Sequence, residues 1–381
     1  MKHYKYLFAK MLDLKLIKKA YKKLRRGKTK RTDIQYIDAH LDRQSAIMMV
    51  RLSNTHPGAE HPEFAFKGTK SHKMKTIMEH GKIRKIYMPR IIEQWVHHII
   101  VMVLEPIIMK GMHRGTCGSV PKRGSHYGKM LIESAIRKGK HVRNYAQMDI
   151  RHYYDSIRMD FVKRFLEQMI EDVWMVYVVM LCFYGFEKGL PLGFYISTWI
   201  ANWILEPLDN IITELGITDH YRYMDDMLMF NENKRRLHSA VEVVKQFLGR
   251  TYRMRIKGNY KVAKFEYTKR NGKTVGSAVD ILGFVFHRSR TTLRKKILGN
   301  ITQEAKKIER RKSEGLRIQE KDARAMLSGM GYISETDTYG YYERNIKDRI
   351  NVKQLKRIVS KADRKANRYD RLDRGKVQFA A

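Results

Sequence analysis

The sequence predicts an α+β protein in which helices and short strands form one interlocked body, followed by a basic, mostly helical C-terminal lobe. Three observations lead to this prediction. First, helical spacing and strand-like alternation are mixed along the 381 residues, without internal repeats or a low-complexity linker. Second, 43% of the residues are hydrophobic, which is enough to build a core. Third, residues 287–381 have a helical pattern and carry 26 basic and 12 acidic side chains.

The N-terminal third is predicted to contain two helices and one strand. Residues 1–34 carry 13 basic and 2 acidic side chains, and their leucines and isoleucine follow helical spacing. This pattern predicts a basic amphipathic helix that ends near Gly27. The stretch HPGAEHPEF (56–64) breaks the chain, and KIRKIYM (82–88) alternates like a strand. The apolar run IIEQWVHHIIVMVLEP (91–106) predicts a buried helix that stops near its proline.

The middle of the chain alternates between loops, strands and helices. RGTCGSVPKRGSHYG (114–128) is rich in glycine and basic residues, which predicts a loop. QMDIRHYYDSI (147–157) begins as a strand and then turns polar. A helix is predicted over 159–182, and the loop GLPLGFYIS (189–197) leads into another helix over 197–214.

After residue 220 the pattern predicts a strand–turn–strand, a helix over 234–249, and short strands up to about 286. The strand–turn–strand lies in HYRYMDDMLMF (220–230). Its strands are predicted at Tyr221–Met224 and Met227–Phe230, with Asp225 and Asp226 forming the turn between them.

The net charge of +38 at pH 7 restricts the partners of this protein. A charge of this size repels itself unless a polyanion neutralises it. Nucleic acid is the first interpretation and an anionic membrane surface is the second. A merely solvated basic surface is the alternative, although solubility needs far less charge.

Cysteine usage and hydropathy predict a cytoplasmic protein without a membrane segment. Cys117 and Cys182 are too few for a disulfide framework or a zinc site, which suits a reducing compartment. The basic N-terminus lacks an apolar signal core. The apolar run VWMVYVVMLCFYGF (173–186) is too short to span a bilayer.

The two adjacent aspartates indicate a binding site for a divalent cation. Two carboxylates at a turn between apolar strands cost desolvation and repel each other. A solvated turn is the usual explanation for such a pair alone. A third carboxylate favours metal binding, and Asp149 ends an apolar strand 76 residues before Asp225. Asp155 lies beyond that strand, so Asp149 is the better third ligand.

Several motifs together resemble reverse transcriptases. YMDD (223–226) and DIRHYYD (149–155) resemble the palm of these enzymes, and KIRKIYMP (82–89) and VPKRGSH (120–126) resemble their fingers. Three further segments resemble the template-contacting loop, the strand that carries a lysine, and the primer grip: GLPLGFYIST (189–198), LGRTYRMRIKGNYKV (248–262) and VDILGFVF (279–286). The seven segments occur in the family's order and cover about residues 75–290.

The resemblance implies a right-hand polymerase fold with fingers and palm, followed by a basic helical thumb lobe. It implies a helical N-terminal extension and the start of the fingers at 1–74, fingers and palm at 75–286, and a thumb with C-terminal tail at 287–381. Asp149, Asp225 and Asp226 would carry two Mg²⁺ ions, for which Mn²⁺ can substitute, with Ile150 as a further metal-binding position.

The same resemblance implies a nucleotide site. Arg84 and Lys85 would hold the triphosphate. Tyr154 matches the position whose ring excludes a ribose 2′-hydroxyl, although a core tyrosine is the alternative. Leu192 and Gly193 would lie at the template or nucleotide.

A further implied role is that of proton donor to the departing pyrophosphate. Lys257 is the candidate for this role, and Lys261 is its rival.

The implied activity is RNA-directed DNA synthesis from a primer with dNTPs, on a dedicated structured non-coding RNA as template. Leu192 and Ser197 fit the pattern of diversity-generating retroelement enzymes, whereas Thr198 departs from it, so a phage-defence enzyme stays open. An accessory protein is a possible partner, and no membrane is expected. Two alternatives from other classes are a catalytically silent RNA-binding protein and an RNA-dependent RNA polymerase.

Overall fold

The computed structural model describes residues 4–70, 72–79, 82–139 and 142–364. Its strands, in chain order, are β1 (His72–Glu79), β2 (Lys82–Pro89), β3 (Thr116–Cys117), β4 (Asn144–Asp149), β5 (His220–Tyr223), β6 (Asp226–Asn231), β7 (Lys261–Lys264), β8 (Tyr267–Thr268), β9 (Thr274–Val275), β10 (Val279–Ile281), β11 (Phe284–Phe286) and β12 (Thr291–Leu293).

The helices, in chain order, are α1 (Leu7–Met11), α2 (Leu14–Leu24), α3 (Thr32–Ala39), α4 (Leu41–Ser53), α5 (Ile91–Gly111), α6 (Ser125–Lys138), α7 (Tyr153–Ser156), α8 (Met159–Met169), α9 (Val173–Leu181), α10 (Tyr195–Trp203), α11 (Glu206–Glu214), α12 (Lys234–Tyr252), α13 (Lys295–Ser313), α14 (Glu320–Ser334) and α15 (Tyr339–Asn345). Short 3-10 helices lie at Pro62–Phe64 and Lys347–Arg349, and a further helix covers 352–364. This mixture confirms the α+β prediction.

The chain divides into two compact units. The first combines Met1–Gly124, Ala146–Met229 and Arg235–Lys261, and the second combines Ser125–Tyr145, Phe230–Lys234 and Val262–Ala381. The division into 1–74, 75–286 and 287–381 stays a prediction.

The core of the first unit is built around α5. The apolar residues of α2 recur at helical spacing and are buried, and the Trp95 indole of α5 donates a hydrogen bond to the Ile17 carbonyl oxygen at 2.9 Å. The rings of Tyr21 and Trp95 lie 5.0 Å apart. Among the described residues, one helix, α5, is long enough and apolar enough to cross a membrane. However, 67% of its most apolar 18-residue stretch is buried inside the protein. This burial agrees with the prediction of a core helix.

Four strands that belong wholly or mostly to the first unit lie side by side in the order β3-β5-β6-β4. Strands β3 and β5 are parallel, with Thr116 opposite Arg222, whereas β5 and β6 form an antiparallel hairpin. A separate antiparallel hairpin joins β1 to β2. The two cysteines are buried as free thiols.

The predicted single helix within 1–34 is wrong, because the chain breaks between α1 and α2. Asp13 has an extended backbone, and its side chain accepts a hydrogen bond from the Lys15 N–H, so it caps a new helix. The helix predicted over 159–182 is also two helices. Ile170 is extended, and the Asp172 side chain caps α9 by accepting from the Met175 N–H.

Two further boundaries differ from the sequence prediction. Helix α5 does not stop at Pro106 but continues to Gly111, because burial of the helix, including Ile108 after the proline, outweighs the hydrogen bond that proline removes. The helix predicted over 197–214 divides into α10 and α11, because Pro207 lies at the start of a new helix. The loop predicted over 114–128 contains β3 and the start of α6.

The second unit contains the helices of the C-terminal region. Its three-stranded sheet has the antiparallel order β10-β11-β12, and it buries Phe284 and Phe286. Helix α13 packs on α14 through a buried stripe that includes Ala305, Ile308 and Met326. The helical pattern predicted after residue 287 is therefore confirmed for the part up to 364, and residues 365–381 lie outside the described residues.

Candidate active site

The two adjacent aspartates lie at the tip of the β5–β6 hairpin, one residue out of the predicted register. Tyr223 pairs with Asp226, so Met224 and Asp225 form a two-residue turn and Asp226 begins β6. Met224 has a positive φ of 56°. The prediction placed both aspartates in the turn. It missed the correct register because nothing in the side chain of Met224 indicates a left-handed backbone.

Asp149 lies beside this turn, as predicted. It ends β4, and the N–H of the next residue, Ile150, donates to the Asp225 carbonyl oxygen at 3.3 Å. Ile150 is fully buried, and because its aliphatic side chain has no ligand atom, a role in metal binding would have to come from its main-chain carbonyl oxygen. Asp155 is exposed on α7. The structure therefore brings Asp149, Asp225 and Asp226 together and leaves Asp155 apart.

The three carboxylates form a partly buried excess of negative charge. Burial, together with the charges of Asp149 and Asp225, raises the pKa of the Asp226 carboxyl to about 7. Burial and Asp149 also raise the pKa of Asp225, while the nearby cations of Lys257 and Arg84 act in the opposite direction. One oxygen of Asp149, Oδ1, is buried and finds no hydrogen-bond donor among the described residues. A cation would relieve each of these costs.

The donor set fits Mg²⁺ as an open site. Within the described residues, no three or more His, Cys, Asp or Glu side chains are placed so that together they could hold a metal ion. Mg²⁺ usually takes one or two protein carboxylates and completes its shell with water and substrate phosphates. The one buried and unsatisfied carboxylate oxygen at the end of β4, Asp149 Oδ1, suits that kind of coordination.

Lys257 is held against Asp149 by main-chain and side-chain contacts. The segment 255–257 pairs with 149–151: the Lys257 N–H donates to the Asp149 carbonyl oxygen at 2.8 Å, and the Arg151 N–H donates to the Arg255 carbonyl oxygen at 2.8 Å. The Lys257 ammonium lies 2.5 Å from Asp149 Oδ2. The rival Lys261 is exposed at the start of β7. Of the two lysines, Lys257 is the one placed at the carboxylates.

Tyr154 faces the same cluster, whereas its neighbour Tyr153 lies in the core. The Tyr153 hydroxyl donates to the Ala201 carbonyl oxygen, and the side chain is buried. Tyr154 is half-buried, and burial together with the charge of Asp225 raises the pKa of its hydroxyl, while Arg84 lowers it. Tyr154, Asp225 and Arg84 are therefore close enough to interact electrostatically.

The other predicted nucleotide-binding residues lie on β2 and on the loop before α10. Lys85 is exposed and follows Arg84 on the strand, so the two side chains point to opposite faces of the hairpin. The Leu192 carbonyl oxygen accepts from the Tyr87 N–H at 2.7 Å. A Cβ at Gly193 would lie 2.2 Å from the Tyr87 carbonyl oxygen. The close approach of Gly193 is thus to β2, and its contact with template or nucleotide stays a prediction.

Comparison with known proteins identifies the family of this chain. Residues 70–286 match the family described as reverse transcriptase (RNA-dependent DNA polymerase). The chain belongs to the reverse transcriptase family. The matched range contains all three clustered aspartates, Tyr154 and Lys257. Among curated proteins, none matches this reverse transcriptase.

Solved structures similar to this reverse transcriptase include yeast telomerases. One apo telomerase from Candida tropicalis has 10% identity and a TM-score of 0.47, with 77% of this chain and 61% of that chain covered. A form truncated from its C-terminal domain has 13% identity and a TM-score of 0.44, covering 66% and 60%. Telomerase from Candida albicans in complex with a TWJ fragment of telomeric RNA has 10% identity and a TM-score of 0.43, covering 72% and 56%. This reverse transcriptase thus spans about three fifths of those chains.

Sequence reasoning missed a buried polar network behind the turn of this reverse transcriptase. Arg222 of β5 and Asp209 of α11 form a salt bridge with a separation of 2.6 Å between Nη2 and Oδ2, and both side chains are 1% exposed. Burial and the Arg222 charge act in opposite directions on the Asp209 carboxyl, and the result is a lowered pKa. The available signal was Arg222 itself, a charged residue inside the apolar strand next to the aspartates.

Proposed function

We propose that Asp149, Asp225 and Asp226 form the catalytic centre of this reverse transcriptase and hold two Mg²⁺ ions, with the Ile150 backbone beside them. The observation that carries this proposal is the partly buried excess of negative charge where β4 meets the β5–β6 turn. When bound, these ions would supply activation of the attacking primer hydroxyl and charge stabilisation of the leaving pyrophosphate, and Mn²⁺ would be able to replace Mg²⁺.

The residues around the carboxylates receive roles that follow from their positions. Lys257 places a protonated amine at the cluster and is the proposed proton donor to the departing pyrophosphate. Arg84 is the proposed triphosphate contact, because it lies near Asp225 and its planar guanidinium suits phosphate oxygens. The ring of Tyr154 is proposed to exclude a ribose 2′-hydroxyl.

Three further contacts complete the proposed nucleotide site. Lys85 would reach the triphosphate from the other face of β2, while Leu192 and Gly193 would border template and nucleotide. In this proposal β1 and β2 belong to the fingers, the aspartates belong to the palm, and the helices after residue 287 form the thumb.

We further propose that the template is a dedicated structured RNA and that the product is DNA made from dNTPs in the cytoplasm. The large positive charge supports this, since both the first 34 residues and the region after 287 have a large excess of basic side chains. A retroelement or phage-defence system is the proposed setting, with an accessory protein as a possible partner. The LGFYIST segment at 192–198 supports a retroelement, because it fits the diversity-generating pattern at Leu192 and Ser197. Its departure from that pattern at Thr198 keeps a phage-defence system as the second setting.

Primer extension with Mg²⁺, an RNA template and a DNA primer tests the proposed centre. Asp225→Asn combined with Asp226→Asn should abolish dNTP addition, since loss of the metal ligands removes several kcal/mol of transition-state stabilisation, on the order of 10³-fold in rate. The matched control Asp155→Asn removes one exposed carboxylate of the same region and should retain activity.

Two outcomes would contradict the proposal. Continued synthesis by the double variant would show that the catalytic centre lies elsewhere. Better use of rNTPs than of dNTPs by the wild-type protein would favour an RNA polymerase, because the proposed position of Tyr154 excludes the 2′-hydroxyl.

A further inference from the structure

We propose that Arg222 and Asp209 form a clamp that positions the Met224–Asp225 turn, and through it the carboxylates of Asp225 and Asp226, without touching substrate. This inference rests on the proposed catalytic roles of the two aspartates. Arg222 and Asp209 are positioning residues in this account, because their side chains are buried behind the turn.

The salt bridge has the geometry of a two-point clamp. Arg222 Nε donates to Asp209 Oδ1 at 3.0 Å, and Nη2 donates to Oδ2 at 2.6 Å. Thr116 adds a third contact, because its hydroxyl donates to Asp209 Oδ2 at 3.0 Å. A buried ion pair of this kind is a weak source of stability, since well-packed apolar residues often replace such pairs without loss. Stability alone therefore does not account for its place next to the aspartates.

The remaining guanidinium contacts connect the clamp to the turn. Arg222 Nη1 donates to the Met224 carbonyl oxygen at 3.3 Å and to Asn202 Oδ1 at 3.2 Å, while Nη2 donates to the Asn202 carbonyl oxygen at 3.2 Å. The Asn202 amide in turn donates to the Gly118 carbonyl oxygen at 2.9 Å. Arg222 thus connects β3, α10 and α11 to Met224, the residue that precedes Asp225 in the turn.

The turn needs such support because its backbone is unfavourable for methionine. In a two-residue turn whose first central residue has a positive φ, glycine is the usual choice. Met224 has a φ of 56°, and Asp225 is not among the residues with positive φ. The Met224 carbonyl oxygen is held by Arg222, and the Asp225 carbonyl oxygen is held by the Ile150 N–H. Loss of the first contact would let the turn rotate about the second and move the two carboxylates.

The test uses two variants. The first replaces both charged residues by apolar ones, and the second keeps the positive charge but removes the forked guanidinium. Arg222→Met with Asp209→Leu should stay folded, because the apolar pair avoids the desolvation of a buried ion pair. Arg222→Lys keeps the charge opposite Asp209, but a single ammonium lacks the fork that spans both the carboxylate and the turn. The control, Arg158→Met with Asp160→Leu, makes the same type of change at an exposed Arg–Asp pair.

We expect both Arg222 variants to melt cooperatively, to bind primer–template normally, and to show kcat lowered by roughly 10–100-fold, which is the range for an approximately 1 Å misplacement. The Mg²⁺ concentration for half-maximal activity should rise, while the KM for primer–template should not. Mn²⁺ binding measured by electron paramagnetic resonance, without nucleotide, should weaken in the same variants. The control pair should change none of these values.

Wild-type kcat and Mn²⁺ affinity in a folded Arg222 variant would overturn the clamp. Loss of cooperative melting in both variants would also overturn it, because the pair would then be a folding element. A wild-type protein that extends no primer would refute the proposed function separately, and the Mn²⁺ titration would still test the clamp.

Discussion

Replacing Gly193 with alanine measures how tightly the loop before α10 is packed on β2. Gly193 has a φ of 102°, and an added Cβ would lie 2.2 Å from the Tyr87 carbonyl oxygen and 2.9 Å from Ile86 Cγ2. The backbone conformation alone costs a residue with a side chain about 1–3 kcal/mol. Relief of the clash would also separate the loop from the strand and break the Tyr87 N–H to Leu192 carbonyl hydrogen bond, worth about 1 kcal/mol. The expected loss of unfolding free energy is therefore ~2–4 kcal/mol.

Gly185 provides a matched control for this measurement. Its φ is 84°, and an added Cβ would meet nothing within 4 Å, so Gly185→Ala incurs the backbone cost without the clash. Urea unfolding of both variants should show the Gly193→Ala protein to be the less stable one by about 1 kcal/mol or more. Because β2 also carries Arg84, the KM for dNTP should rise in the Gly193 variant and not in the control.

Equal stability of the two alanine variants would refute the steric argument. A Gly193 variant that is as stable as the control but has lost template affinity would point instead to direct contact between this glycine and nucleic acid.

Two further predictions concern Tyr154 and His97. Tyr154→Ala should keep dNTP addition but lose roughly 10–200-fold of the discrimination against rNTPs, as expected for a small steric difference in a pocket. Parallel assays with dNTPs and rNTPs measure this preference. A destabilised variant whose sugar preference is unchanged would contradict the prediction. Burial lowers the pKa of His97 to about 3, so below pH 6.5 the unfolded chain binds a proton that the folded protein does not. The His97 contribution to the free energy of unfolding should therefore fall by about 1.4 kcal/mol per pH unit, or ~2 kcal/mol between pH 6.5 and 5. Urea unfolding at both pH values should show a shallower dependence in His97→Gln, and equal slopes would exclude this role.

The elements that carry the site could be predicted because each depends on a local pattern. The alternation in 82–88 and 147–149 corresponds to strands, and a charged pair between apolar strands indicates a turn that needs a cation. Family membership was also accessible, since the motifs occur in a fixed order along the chain.

The errors have a common physical origin in contacts that are distant in sequence. The left-handed Met224 depends on a hydrogen bond from a buried arginine, and that arginine depends on Asp209, 13 residues earlier. Pro106 is tolerated inside α5 because tertiary packing of the apolar face outweighs a local helix-breaking rule. The breaks before α2 and α9, by contrast, have a local signal, since Asp13 and Asp172 are of a residue type that commonly caps helices.

The connections at the end of β4 also bear on which substitutions this enzyme tolerates. Ile150 donates to Asp225, Lys257 donates to Asp149, and Arg151 donates to Arg255, all through main-chain N–H groups and carbonyl oxygens. Such bonds form with almost any side chain except proline. The side chains at 150 and 151 can therefore change while these main-chain bonds persist. A proline at position 150, 151 or 257, by contrast, would remove one of these N–H donors and break a main-chain connection of the site even if every acidic residue were retained.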